Sequence, residues 1–265
     1  MMTKNNKIAD TAKICDGVYI GVNVVIEDNV YIDIGCIIRD NVTIKSGTTI
    51  GARCIPGEYL QDFYKDRINS NHTLTIGADS IIRSETIIYG GCEIGDHFQT
   101  GHRVTIRENS VIGNHVRIGT LSDIQGFCKI GNYVNMHSNV HVSQASIVHD
   151  SVWLFPYVVL TNDPQPPSMV TSGVEIGEYA VISTNSIVLP GVHIGKDALV
   201  GAGAVVTKDV PELVVAFGNP ARVHGRVTQI KNEKGEPAYP WRYSFERGMP
   251  WENIGYDAWR ENDDA

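Results

Sequence analysis

The chain has 265 residues, of which 42% are hydrophobic and 20% charged, so its composition is that of a folded globular protein and not of a disordered or collagen-like one. The formal net charge of −8 disfavours non-specific binding to nucleic acid. There is no run of about 18 apolar residues and no apolar N-terminal stretch, and the five cysteines include no Cys-x-x-Cys pair. We therefore expect a cytoplasmic protein with free thiols and no membrane partner.

Aliphatic residues recur every six positions through residues 8–50, 76–160 and 176–206. A small or β-branched residue often stands four positions later, as at Val104, and glycine often follows the aliphatic residue directly. A period of six excludes a long helix, so each hexad predicts one short strand and one corner, with glycine accommodating the corner dihedrals. Three hexads then close one coil, and coils stack about 4.8 Å apart into a triangular prism.

This pattern closely resembles the hexapeptide-repeat superfamily over about residues 8–225. The resemblance implies an all-β fold, a left-handed parallel β-helix built as a triangular prism of hexapeptide repeats. The left hand is implied by the resemblance alone. We predict a β-helix domain over residues 1–225, with inserted loops at 55–75 and 161–175, and a small aromatic-rich C-terminal extension over 226–265.

Counting hexads in threes predicts that both loops leave the prism at the same corner, five coils or about 24 Å apart. Long loops on a rigid scaffold often carry function, which we favour here over tolerated surface insertion.

The same count places four inward cysteines on one inner face, as core fillers and not as ligands or nucleophiles. These cysteines are Cys36, Cys54, Cys92 and Cys128.

Asp123 and His141 are 18 positions apart, so they stack on adjacent coils of the predicted prism. Their side chains are expected about 5 Å apart on the outer surface. A carboxylate beside an imidazole fixes its tautomer and raises its basicity. The pair is therefore a candidate general base oriented by Asp123, or alternatively a surface or interface ion pair.

A second polar cluster contains His102, Arg107 and Glu108, and Ser84 and Glu85 share the corner of His102 one coil earlier. Such side chains suit the hydroxyls of a sugar or a phosphate, although ordinary surface solvation is the alternative. The spacing of the nine histidines provides no third ligand two coils from any histidine pair, so we expect no metal site.

The last coils, EIGEYAVISTNSIVLPGVHIGKDALVGAGAVVTKDVPELVVAFGNPARV, closely resemble the C-terminal signature of hexapeptide acyltransferases, which ends in Gly-Asn-Pro-Ala. The resemblance implies that this segment lines a coenzyme A groove. Backbone near Gly201 and Ala202 would follow the pantetheine arm, with Lys208 near the phosphates. The other cofactor-binding residues implied are Trp153, Phe155 and Pro156 along the acyl-CoA channel, together with Ser183 and Pro220.

Residues 101–142, followed by WLFPYVVLTNDPQPPS, are similar to nucleotide-linked amino-sugar N-acyltransferases. More narrowly, they are similar to enzymes that acetylate dTDP-3-amino-3,6-dideoxyhexoses. The implied activity is an acetyl-CoA-dependent transfer to the sugar amine in deoxysugar biosynthesis, by direct attack on the thioester. In that group the amine is thought to need no side-chain base, which would make His141 positional. The substrate-binding residues implied are Ser84, Glu85, His102, Arg107, Glu108, Gln125 and Asn139.

The resemblance also implies a homotrimer with active sites between subunits. A sugar O-acetyltransferase of the same superfamily is the alternative activity. A non-catalytic scaffold or a carbonic-anhydrase-like protein is a third alternative, and both the Gly-Asn-Pro-Ala signature and the histidine spacing argue against it.

Three of the four tryptophans lie in the last forty residues. These must bury against the open end of the prism, a neighbouring subunit or a ligand base.

Overall fold

The computed structural model describes residues 5–66 and 72–263 of the chain. Most strands have two residues, and each pairs in parallel with the strand one coil away. The strands thus form the three faces of a triangular prism, which confirms the predicted all-β, parallel β-helix class. No helix among the described residues is long and apolar enough to cross a membrane.

Each face is a ladder of short parallel strands. The first face contains Lys7–Ile8, Val25–Ile26, Val42–Ile44, Leu74–Ile76, Glu93–Ile94, Val111–Ile112, Lys129–Ile130, Ile147–Val148, Glu175–Ile176 and His193–Ile194. The second contains Lys13–Ile14, Tyr31–Ile32, Thr49–Ile50, Ile81–Ile82, Gln99–Thr100, Arg117–Ile118, Asn135–Met136, Trp153–Leu154, Val181–Ile182, Leu199–Val200 and a final antiparallel hairpin, Val214–Gly218 with Ala221–Arg226. The third contains Tyr19–Ile20, Ile37–Ile38, Ile55–Glu58, Ile87–Tyr89, Thr105–Ile106, Asp123–Ile124, His141–Val142, Val159–Leu160, Ile187–Val188 and Val205–Val206.

The aliphatic residue of each hexad points into the prism. Ile76 and Ile124 are fully buried, for example, whereas the preceding strand residue faces outward. Each buried aliphatic side chain contributes about 1.5–3 kcal/mol relative to an exposed one. A repeated inward aliphatic is therefore enough to hold the coils together, and it leaves the outward positions free for polar chemistry.

The reason predicted for the glycines that directly follow an aliphatic residue is wrong, although other glycines, such as Gly35 at φ 71°, do adopt left-handed corner dihedrals. The residue in the left-handed region is the third after each aliphatic, such as Arg103 at φ 57° and Asn139 at φ 60°. The glycines directly after the aliphatics stand where consecutive coils approach closely. A Cβ at Gly119 would lie 2.4 Å from the carbonyl carbon of His137. These glycines are required by backbone contact between coils, not by their dihedral angles.

One hexad escaped the sequence count because proline replaces its aliphatic residue. Pro56 pairs with Ile88 on the third face, and Ile76 pairs with Ile44 on the first face. The first loop therefore leaves after the third face, one strand later than the count implied. The second loop also joins the third face to the first, so the prediction of a shared corner is confirmed. Residues 67–71 of the first loop lie outside the described residues.

The missed hexad also changes the placement of the cysteines. Cys36 and Cys54 directly precede third-face strands, whereas Cys92 and Cys128 directly precede first-face strands. The prediction that all four share one face is wrong, because the hidden hexad shifts the count by one. All four are buried free thiols, as expected of core fillers.

The C-terminal extension lies along the outer side of the second face instead of across the open end of the prism. It contains two short 3₁₀ helices, Val227–Gln229 and Trp241–Tyr243, and the α-helix Tyr256–Asp263. The aromatic residues of the extension form a second apolar cluster with outward residues of the last coils. The residues shared in this way include Tyr179, Val181, Leu199, Trp241 and Trp251.

One buried ion pair fastens the extension to the prism. Arg242 of the extension pairs with Asp197, whose side chain is only 3% exposed. The Arg242 guanidinium also lies over the ring of Tyr179, 4.7 Å from its centroid, and the indole nitrogen of Trp241 donates to the Tyr179 carbonyl at 2.7 Å. The aromatic segment is therefore anchored to specific positions of its own chain.

Candidate active site on the third face

Asp123 and His141 are direct neighbours on the third face, as their spacing predicts. The two residues are register partners on adjacent strands, and His141 Nδ1 lies 3.1 Å from Asp123 Oδ2. The His141 side chain is 40% exposed and the Asp123 side chain is 36% exposed. Because the carboxylate engages Nδ1, the other ring nitrogen, Nε2, is available to a substrate.

A chain of hydrogen bonds continues from this pair toward the corner between the third and first faces. Gln125 Nε2 donates to Asp123 Oδ2 at 2.5 Å, and Arg107 Nη1 donates to Gln125 Oε1 at 3.4 Å. Arg107 also holds Glu108 with two hydrogen bonds, at 2.9 and 2.8 Å. The structure thus brings together both predicted catalytic residues and three of the predicted substrate-binding residues.

The electrostatics of Asp123 follow from this network. Burial alone would raise the pKa of the Asp123 carboxyl, but hydrogen bonds from His141 and Gln125 outweigh burial and hold the pKa below 3.8. Asp123 is therefore ionised throughout the neutral range. An ionised acceptor at Nδ1 selects the tautomer that carries its proton there, which makes Nε2 a hydrogen-bond acceptor.

The two loops flank this pair along the axis. The second loop follows Leu160, whose strand pairs with His141. The first loop follows Glu58, which is paired with Tyr89, and the Arg107 guanidinium lies 5.6 Å from the centre of the Tyr89 ring. Asp123 and His141 therefore stand on strands between two longer connections. Tyr89 is a neighbour of Arg107 that no sequence pattern singles out.

The remaining predicted substrate-binding residues lie at a different corner, between the second and third faces. Glu85 accepts hydrogen bonds from Arg53 and Arg103, each at 2.5 Å, and these bonds lower the pKa of Glu85 to about 2. Ser84 and His102 line a cavity of about 390 Å³ beside this cluster. Asn139 occupies the same corner, two residues before His141. Because both Glu85 oxygens are engaged by arginine, Glu85 is better placed to support the corner than to bind a sugar.

The residues predicted to bind coenzyme A are only partly brought together. The corner between the second and third faces carries Pro156, Ser183 and Ala202 on successive coils, together with Gly201, and they form a strip along the prism. A Cβ at Gly201 would lie 2.8 Å from Phe217 Cβ, so this glycine makes room for Phe217 of its own chain.

The other residues predicted for coenzyme A lie away from this strip. Lys208 follows the third-face strand Val205–Val206, at the opposite corner, and Pro220 lies in the turn of the final hairpin. Trp153 and Phe155 pack against the C-terminal extension. Among the described residues, no group of three His, Cys, Asp or Glu side chains is arranged to hold a metal ion.

Comparison with known proteins points to hexapeptide-repeat transferases. The profile of the bacterial transferase hexapeptide family (six repeats) matches residues 23–55 and 169–208. A dTDP-3-amino-3,6-dideoxy-α-D-galactopyranose 3-N-acetyltransferase of Aneurinibacillus thermoaerophilus is 35% identical over 66 residues, which are 25% of this chain and 25% of that protein. The bifunctional protein GlmU of Synechococcus sp. (strain CC9311) is 28% identical over 173 residues, or 54% of this chain and 38% of that protein. These matches support a hexapeptide-repeat transferase.

Solved structures are similar at lower identity. An Arabidopsis UDP-N-acetylglucosamine acyltransferase is 17% identical with a TM-score of 0.43, and the match covers 83% of this chain and 74% of that one. PerB from Caulobacter crescentus, solved with CoA and GDP-perosamine, is 19% identical with a TM-score of 0.31, over 83% of this chain and 57% of that one. The chain spans less than half the length of the curated relatives it matches.

Proposed function

We propose that the protein is an N-acetyltransferase that moves an acetyl group from acetyl-CoA to the amine of a nucleotide-linked amino-deoxysugar, of the dTDP-3-amino-3,6-dideoxyhexose type. The observation that carries this proposal is the Asp123–His141 pair, held outward on a hexapeptide prism with Nε2 of His141 available. The partial match to a dTDP-amino-sugar N-acetyltransferase supports the acceptor. The Gly-Asn-Pro-Ala signature supports acetyl-CoA as the donor.

In the proposed reaction the neutral amine attacks the thioester carbonyl of acetyl-CoA. The new C–N bond forms, the C–S bond breaks, and the amine proton passes to the departing thiolate, directly or by way of His141. Nε2 of His141 accepts a hydrogen bond from the amine and so aims its lone pair at the thioester. Asp123 keeps His141 in the tautomer that can do this, and Gln125 fixes Asp123.

The neighbouring polar groups suit the rest of the acceptor. Gln125 and Arg107 would meet sugar hydroxyls or phosphate, and Glu108, whose two oxygens both accept from Arg107, would orient the Arg107 guanidinium. The strip of Pro156, Ser183 and Ala202 would accommodate the pantetheine arm. We further propose a homotrimer in which a neighbouring subunit completes each site.

The alternative is a sugar O-acetyltransferase, which the same Asp–His pair favours because a hydroxyl is a weaker nucleophile and needs a base. A partial match to an acyl-[acyl-carrier-protein]–UDP-N-acetylglucosamine O-acyltransferase, 30% identical over 121 residues, is compatible with it. His141→Asn separates the two. A direct N-acetyl transfer should lose only a few-fold in kcat, whereas a base-dependent O-acetyl transfer should lose about 10²–10⁴-fold.

The test of the proposed function is a panel of nucleotide-linked amino sugars and their hydroxyl counterparts, each incubated with acetyl-CoA while free thiol is measured. The proposal expects thiol release with at least one amino sugar and little with the matching hydroxyl sugar. Release only with hydroxyl acceptors would move the assignment to the alternative.

A further inference from the structure

An aromatic cavity of about 360 Å³ lies between the second face and the C-terminal extension. Trp153, Phe155 and Val181 line it from the prism, and Tyr239, Trp241 and Phe245 line it from the extension. None of the described side chains that line it is charged at neutral pH. A charged group inserted there would lose its hydration without gaining a partner, so the part of a ligand that enters must be uncharged.

Trp153, which lines the cavity, carries a buried donor that has no acceptor among the described residues. Nε1 of Trp153 is inaccessible to solvent and forms no hydrogen bond with any residue that the structure describes. The rings of Trp241 and Phe245 meet the Trp153 ring edge-on, at 5.9 and 5.5 Å between centroids. Because a buried indole N–H normally finds an acceptor, the inserted group should combine a flat ring with a carbonyl oxygen or ring nitrogen.

A basic groove of about 350 Å³ ends one coil before this cavity, since Met136 and Ser138 line the groove and Trp153 and Phe155 line the cavity. Arg83, Arg117 and His102 line it, and none of the described residues along it is acidic. Arg117 forms no ion pair with any described residue, although its guanidinium lies against Gly248 of the extension. Arg83 Nη1 donates to the Thr100 carbonyl at 2.6 Å, and neither Arg83 nor Arg117 forms an ion pair with a described carboxylate. Guanidinium groups in a groove without acids are suited to phosphate.

The cavity and the groove meet at one pair of rings. His137 stacks on Phe155 with 4.7 Å between ring centroids, and Met136 and Ser138, on either side of His137, line the groove. Burial lowers the pKa of His137, so its ring is neutral at neutral pH and adds no charge to the cavity wall. The His137–Phe155 pair therefore lies between the uncharged aromatic cavity and the basic groove, and His141 stands three positions after Ser138, at most about 11 Å of chain.

We propose that the cavity and the groove together form a nucleotide-binding site. The base enters the cavity and accepts a hydrogen bond from Trp153 Nε1, and the phosphates lie in the groove on Arg83 and Arg117. This inference rests on the proposed function, since it states how one of the two substrates is held. Both the nucleotide of the sugar acceptor and the adenosine diphosphate part of coenzyme A have this chemistry.

The test is isothermal titration calorimetry of the full chain with thymidine, thymidine 5′-diphosphate and adenosine 3′,5′-bisphosphate. Trp153→Phe keeps an aromatic ring but removes the five-membered ring of the indole with its N–H, and it should weaken binding of base-containing ligands about tenfold, with or without phosphate. Arg117→Gln should weaken only the phosphorylated ligands, by about tenfold. Trp259→Phe, in the same aromatic cluster, and Lys129→Gln, on the first face, should leave affinity unchanged.

Tighter binding of the thymidine compounds assigns the site to the acceptor, and tighter binding of the adenosine compound assigns it to the donor; either supports the proposal. Ala238→Leu, which fills the cavity from the extension, gives a second variant if Trp153→Phe unfolds, as judged by circular dichroism. The proposal is overturned if neither nucleotide binds, or if the folded variants bind like the wild type. Because binding is measured without turnover, acetyl transfer that is unaffected by these variants would overturn this site and leave the proposed function standing.

Discussion

Replacing Asp123 by asparagine removes the charge that holds His141 while keeping the size of the side chain. Asp123 accepts hydrogen bonds from His141 at 3.1 Å and Gln125 at 2.5 Å. A hydrogen bond to a charged group contributes about 1.5–3 kcal/mol when shielded from water. Here the two side chains are 40% and 36% exposed, so solvent screening reduces this to about 1 kcal/mol. If His141 only positions the amine, Asp123→Asn should lower kcat/KM about fivefold.

The assay is thiol release from acetyl-CoA with the best acceptor of the panel, measured from pH 5 to 9. The pKa of Asp123 is held below its usual range, so its carboxylate stays ionised from pH 5 to 9 and its own titration adds no pH dependence to the loss. Glu93→Gln is the matched control, because Glu93 faces outward at the same strand position on the first face. An Asp123→Asn variant as active as wild type would refute the role of the pair. A loss above about a hundredfold would show that His141 acts as a base.

Three further outcomes are expected. Glu85→Gln should lower the melting temperature most at neutral pH, because the pKa of Glu85 is about 2 in the folded protein and lies below the ordinary 4.5. The difference in melting temperature from wild type should shrink as pH falls from 4.5 toward 2, and a constant difference would contradict this. Arg242→Met leaves Asp197 buried without its partner, a change that costs about 3–5 kcal/mol. Limited proteolysis should therefore release the extension at a lower temperature than in wild type, and an unchanged rate of cleavage would contradict this. Gly119→Ala should lower the melting temperature more than Gly203→Ala. A Cβ at Gly119 meets backbone at 2.4 Å, whereas one at Gly203 meets nothing within 4 Å. Because Gly203 has a φ of 69°, alanine there still costs about 1 kcal/mol of left-handed strain, and a drop no larger for Gly119→Ala would remove the close-contact explanation.

The fold was predictable because the repeat is local and periodic. An inward aliphatic residue every six positions specifies where each strand lies, and residues 18 apart must then be neighbours, as Asp123 and His141 are. The count failed at Pro56, where a proline occupies the inward position and carries no aliphatic signal. That single omission misplaced Cys92 and Cys128 relative to Cys36 and Cys54.

The extension and much of the site were less predictable because their contacts are not periodic. Nothing in the sequence around Arg242 indicates that this residue pairs with Asp197, 45 residues earlier. The family resemblance places Trp153 beside an acyl-CoA channel, whereas in the structure Trp153 packs against Trp241 and Phe245. Gln125 and Arg107 were selected as separate substrate-binding residues, and only the structure shows that they form one chain of hydrogen bonds with Asp123.

Mass spectrometry of the product formed from acetyl-CoA and a dTDP-3-amino-3,6-dideoxyhexose tests directly whether the protein acetylates an amino sugar. We expect one equivalent of free CoA for each acetylated sugar, with the acetyl group on nitrogen. The double variant Asp123→Asn/His141→Asn should slow product formation only a few-fold, because Asp123 acts through His141. A folded wild-type protein that acetylates no amino sugar in the panel would contradict the proposed function.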